Sequence, residues 1–125
     1  MLPKYRAWDK AHEVMRNVLL IDFISRSIIC ETEDDRNIKL YDITYEFMQS
    51  TGLKDKNGVE IYEGDIVKSQ DGTDGCIKTF IVKRDEMNGG FIPMTKYDIG
   101  WHTELNWVIG NIYETPELLE ESGVR

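Results

Sequence analysis

Met48-Gln49-Ser50-Thr51-Gly52-Leu53-Lys54-Asp55-Lys56-Asn57-Gly58-Val59-Glu60-Ile61-Tyr62-Glu63-Gly64-Asp65-Ile66-Val67 is the stretch that decides the fold. Asn57-Gly58 tolerates the positive φ of a tight reverse turn, so Lys54–Gly58 reads as a hairpin or a closely related turn. Glu46–Thr51 is the strand entering it. Gly64-Asp65 then marks a bend immediately before a strand that runs through Ile66-Val67 to Lys68.

Toward the carboxyl end the same grammar repeats. Gly72 and Gly75 lie in a polar loop, Cys76 to Lys83 is a β-branched strand, and Asn88-Gly89-Gly90 turns the chain into Phe91-Ile92. Over Trp107 to Tyr113 the alternation sets Trp107, Ile109, Asn111 and Tyr113 on one face, with Val108, Gly110 and Ile112 on the other. Val108 and Ile112 are expected in the core, with Gly110 at a bulge or a close backbone approach. Thr115-Pro116-Glu117 reads as a helix start, because Thr can cap, Pro suits the first helical position and Glu favours the positive end of the dipole. A short helix from Pro116 to about Glu121 follows.

Toward the amino end, Tyr5 to Trp8 predicts a first strand. Val14-Met15 and Val18 to Ile24 fit either one bent strand or a short helix, since Ala11 to Leu20 contains good helix formers. Ser27–Cys30 and Ile38–Ile43 read as two strands joined by an acidic, solvated connector from Glu31 to Asn37. Short segments rich in Ile, Val, Tyr, Phe and Trp, punctuated by Gly and Asn/Asp, predict a mainly β chain built as a small barrel or sandwich.

The 125 residues fit one domain or a domain with a small subdomain. At 41% hydrophobic residues with ten glycines, the composition is that of a folded globular protein. The 23 acidic side chains outnumber the 15 basic ones, and the net charge of −8 opposes non-specific binding to a phosphate backbone. Two cysteines, Cys30 and Cys76, are too few for a secreted disulfide scaffold and are expected to be buried thiols. The longest apolar run, Val18 to Ile24, contains Asp22 and is far shorter than the ~20 residues of a membrane span. Met1-Leu2-Pro3-Lys4 has no signal-peptide layout, so the expected location is the cytoplasm.

Three blocks resemble the YopX family of phage and prophage proteins: Tyr5–Lys10, the run Met48–Val67 quoted above, and Val108–Leu119. Their order and spacing agree over nearly the whole chain. The pattern departs at Thr115, where the family more often has Asn, and residues 17–45 and 69–106 carry no matching signature. The resemblance implies a mainly β protein with a β-rich amino-terminal subdomain over residues 1–45. Residues 46–125 would form a small SH3-like β-barrel with the short carboxyl-terminal helix. It implies a phage or prophage protein in a bacterial host and carries no catalytic residues across.

Glu60, Glu63 and Asp65 bring three carboxylates close together. A hard cation needs several oxygens converging at about 2.0–2.6 Å, whereas strand geometry sends Glu60 away from the face of Glu63. Turn-capping is therefore the better reading, and no metal is expected. Cys76 and His102 have no local context for nucleophilic catalysis, and no phosphate-binding loop or hydrolase motif is present. The chain reads as non-enzymatic and without a cofactor.

What remains is binding. Trp107, Ile109 and Tyr113, with Tyr62, form the candidate surface for a host or phage protein or for a second copy of the chain. The alternative is nucleic acid, held by the locally basic first strand through Arg6, Trp8 and Lys10, with Trp8 stacking on bases. The plainer reading of that segment is a solvated edge strand whose basic residues discourage sheet-to-sheet aggregation.

Overall fold

A computed structural model describes residues 4–70, 76–87, 89–93 and 106–121. Among these the fold is mainly β, with eleven strands and one helical turn. The chain divides into two units, Met1–Gln49 and Ser50–Arg125, and the division falls within one strand.

The first unit holds β1 (Tyr5–Asp9), β2 (Val14–Asp22), β3 (Ser27–Cys30), β4 (Ile38–Tyr41) and the first half of β5 (Tyr45–Lys54). All pairings are antiparallel, in the order β4-β3-β2-β1-β5. The ambiguous Val14–Asp22 segment is a strand because it pairs along both sides, with β1 and with β3, and its register shifts between Val18 and Leu20. β1 lies between β2 and β5, so the edge-strand expectation is corrected: its backbone groups are used in both ladders.

Connectivity forces this sheet to curve. Tyr41 ends β4 and Tyr45 begins β5, so four residue steps, spanning at most about 14 Å, join strands that a flat sheet of this order would hold about 19 Å apart. The sheet curls and brings its two ends together at this corner. There, Thr44 N–H donates to Tyr41 O at 3.1 Å, Asp42 N–H to Arg26 O at 2.9 Å, and Lys10 N–H to Thr44 O at 3.1 Å. The concave side holds the core: Ala7, Ile28, Cys30 and Leu40 are buried, with Val18, Ile21, Ile38 and Tyr45 packed against them.

In the second unit the rest of β5 pairs with β6 (Glu60–Tyr62) around the Asp55–Gly58 turn, with Gly58 at φ 81°. β7 (Asp65–Gln70) is central in the three-stranded sheet β11-β7-β8, with β8 at Ile77–Ile81 and β11 at Asn106–Asn111. β9 (Lys83–Arg84) and β10 (Phe91–Ile92) form a separate small ladder. Ile61, Val67, Phe80 and Val82 are buried together, and Leu53, Phe91 and Val108 pack on them. No closed barrel forms among the described residues. α1 (Leu118–Glu121) is a single helical turn.

Two local expectations are corrected. Cys30 is buried, but Cys76 is exposed, because it precedes the first paired residue of β8, Ile77. The face proposed for Trp107, Ile109, Asn111 and Tyr113 is interrupted: register shifts between Val108 and Gly110, so Asn111 shares a face with Val108 and is buried. Tyr113 lies beyond the end of β11, in the following turn. The expected loop at Gly72 and Gly75, Asn88 and His102 lie outside the described residues.

Candidate functional site

Asp9 organises the basic amino-terminal segment. It is fully buried at the end of β1. Its Oδ1 accepts from the N–H groups of Ala11 and His12, both at 3.2 Å, and its Oδ2 from His12 Nδ1 at 2.7 Å and Arg16 Nε at 3.0 Å. Burial pushes this carboxyl upward, but the bonds from Arg16 and His12 outweigh it and hold the group below the ordinary carboxylate range. Lys10 Nζ lies 3.0 Å from Glu46 Oε1 and donates to Ile43 O at 3.2 Å. Arg6 and Trp8 are half-buried on the face of β1 opposite Ala7 and Asp9. The segment's positive charge is thus matched by carboxylates of the same unit at Arg16 and Lys10.

The carboxylate trio around Gly64 resolves into a turn. Asp65 Oδ2 accepts from Tyr62 N–H at 2.7 Å, and Gly64 supplies φ 86°. Among the described residues no group of three or more His, Cys, Asp or Glu could hold a metal ion.

Trp107, Ile109, Tyr113 and Tyr62 are each half-buried. The Lys56 ammonium sits 4.4 Å from the centre of the Trp107 ring, a cation–π contact that covers part of the indole. Gly110 is a close approach: a Cβ there would lie 2.0 Å from Thr115 Oγ1 and 2.9 Å from Leu118 Cδ1. Thr115 works backward rather than as a cap of α1, for its hydroxyl accepts from Asn111 N–H and donates to Asn111 O, each at 3.0 Å. Asn111 Oδ1 in turn accepts from the N–H groups of Tyr113 and Glu114.

A concavity absent from the sequence reading lies in the first unit, where the β2–β3 turn meets the β4–β5 corner. It has a volume of about 430 Å³, and Phe23, Tyr45 and Phe47 line it together with Ile21 and Ile28. Four charged side chains complete the wall: Asp22, Asp42, Glu46 and Arg26. Asp22 Oδ1 accepts from Ile24 and Ser25 N–H, and the bonds to Ser25, then to Ile24, hold its carboxyl below the ordinary range. Arg26 Nη1 is 3.7 Å from Asp42 Oδ2, and both side chains are more than half exposed. Tyr45 meets Phe47 edge-on at 6.4 Å, and Phe47 stacks on Tyr5 at 4.7 Å and 18°. Burial, aided by the charge of Asp42, raises the Tyr45 phenol.

Around this concavity stand apolar side chains in water. Phe23 is 85% exposed, Ile24 98% and Ile43 82%. Ile43 also has φ 68°, a conformation that β-branched residues rarely adopt. The available signal was Asp22-Phe23-Ile24-Ser25, in which an aspartate that bonds the next backbone amides ends the strand before its last apolar residues are used.

The family model described as YopX protein matches residues 4–120. Among solved structures, the crystal structure of protein EF1440 from Enterococcus faecalis is 29% identical, with a TM-score of 0.62 over 95% of this chain and 99% of that one. The crystal structure of protein YopX from Bacillus subtilis is 22% identical, with a TM-score of 0.61 over 93% of this chain and 97% of that one, and shows the same fold. No curated protein matches the chain. No helix among the described residues is long and apolar enough to cross a membrane.

Proposed function

This chain belongs to the YopX family, and from that premise we propose that it is a non-enzymatic accessory protein of phage or prophage origin that acts by contacting another protein in the bacterial cytoplasm. The observation that carries this reading is the distribution of exposed apolar side chains. Eight of the eleven large ones among the described residues belong to the first unit, and Phe23, Ile24 and Ile43 stand where two turns meet. Exposed apolar side chains that gather at one corner, as these three do, are the mark of a contact surface. Trp107, Ile109, Tyr113 and Tyr62 remain further contacts on the second unit. The SH3-like relation also stays part of the reading, supported by one apolar cluster shared by β5, β6, β7, β8, β10 and β11. Against the nucleic-acid alternative, Lys10 pairs with Glu46 and Arg16 with Asp9.

The test is capture of partners on tagged protein from bacterial lysate, with and without nuclease, alongside an Ile24→Ser variant. A stoichiometric protein retained after nuclease and lost with Ile24→Ser is expected. Recovery of nucleic acid, or only of proteins that nuclease removes, overturns the reading in favour of Arg6, Trp8 and Lys10.

A further inference from the structure

The concavity of the first unit has a chemical character of its own. Three aromatic rings, three carboxylates and one guanidinium line its wall, and with Lys10 paired to Glu46 the carboxylates still outnumber the cations by one beside π faces. We propose that this concavity receives the side chain of an arginine, carried by an extended segment of a partner protein. The proposal rests on the protein-contact reading above and names the partner's anchor.

Charge complementarity selects the occupant. A planar guanidinium stacks on aromatic faces and bonds carboxylates in a bidentate fork, so it uses both halves of this wall at once. An anionic group meets repulsion from Asp22, Asp42 and Glu46, and from a chain of net charge −8. The resident cations do not close the site. Arg26–Asp42 and Lys10–Glu46 are ion pairs with side chains between 44% and 78% exposed, and exposed pairs of this kind are weak enough to exchange. The volume of about 430 Å³ lies within the range of pockets that enclose a small ligand. Phe23, Ile24 and Ile43 supply apolar contact for residues flanking the arginine, which explains why so much apolar surface surrounds a charged concavity.

The experiment is an NMR titration of the full chain with the capped tripeptide Leu-Arg-Leu and with its citrulline counterpart, which has nearly the same shape and no charge. Saturable shifts at Phe23, Tyr45 and Phe47 are expected with the arginine peptide, and binding about tenfold weaker with citrulline. An Asp42→Asn, Glu46→Gln double variant, whose spectrum away from the concavity is unchanged, should lose most of the preference. Equal binding of the two peptides, shifts confined to other residues, or no saturable shift overturns the proposal. A protein captured from lysate while the arginine peptide fails would overturn this inference alone. Specific peptide binding without any captured protein would count against the broader reading instead.

Discussion

The carboxylate of Asp55, in the β5–β6 turn, accepts a hydrogen bond at 3.0 Å from the backbone N–H of Val108, 53 residues later in β11. The same side chain accepts from Asn57 N–H at 2.8 Å and Val59 N–H at 2.9 Å. One buried carboxylate therefore shapes the turn and fastens a distant strand at the residue where its register begins to shift. Burial pushes Asp55 up, but the bonds from Val108, Val59 and Asn57 outweigh it and hold the carboxyl below the ordinary range.

Replacing Asp55 by Ala leaves three backbone donors without this acceptor. Bonds to an ionised group are worth about 1.5–3 kcal/mol, and buried unsatisfied donors add to the loss. We expect Asp55→Ala to destabilise by at least ~3 kcal/mol, read from the midpoint of urea unfolding. A change below about 1 kcal/mol would show that water replaces the carboxylate.

Asp9 and Asp55 both have folded-state pKa values below the ordinary aspartate value of about 3.8. Between the folded and unfolded values the unfolded chain binds more protons, so stability rises with pH there. The contribution is complete above the carboxylate range and is lost as pH falls through 3.8 and below. Acid unfolding followed by circular dichroism should lose this pH dependence in part when Asp55 is replaced by Ala.

Arg16 and Lys10 carry the same charge in different settings. The Arg16 side chain is 13% exposed and bonds the fully buried Asp9, whereas Lys10 and Glu46 are each nearly half exposed. Arg16→Met should cost about 3 kcal/mol, because it leaves a buried carboxylate short of a partner. Lys10→Ala should cost less than about 1 kcal/mol. Equal losses in chemical denaturation would mean that burial does not separate the two pairs.

At Gly110 even one methyl group has no room. Gly110→Ala would drive Cβ into Thr115 Oγ1 and Leu118 Cδ1, forcing apart the Asn111–Thr115 bonds. A loss of about 1–3 kcal/mol is expected from such overpacking, visible as a lowered Tm. Wild-type stability in this variant would show that the turn shifts freely.

The thiols should separate by reactivity. Burial raises Cys30 to about 11, while Cys76 is exposed. In the native state a thiol reagent should modify Cys76 promptly and Cys30 only at the rate of unfolding. Prompt modification of both, mapped by mass spectrometry, would mean that the first unit opens readily.

What the sequence determined by itself was local. The Asp55–Gly58 turn, the bend at Gly64-Asp65, the strands on either side and the close backbone approach at Gly110 follow from residues whose backbone preferences act within a few positions. The Asp65 carboxylate could likewise be read as bonding a turn amide. Tertiary structure decided the rest, because pairing and burial depend on residues far apart in the chain. Val14–Asp22 became a strand only because β1 and β3 lie on both sides of it, and Tyr5–Asp9 became interior because β5 returns to pair with it. The three-residue link Asp42–Thr44 had to close a curled sheet, and that closure created the concavity between Phe23, Tyr45 and Phe47. Asp22 and Asp42, far apart in sequence, become walls of one site only when the two turns meet.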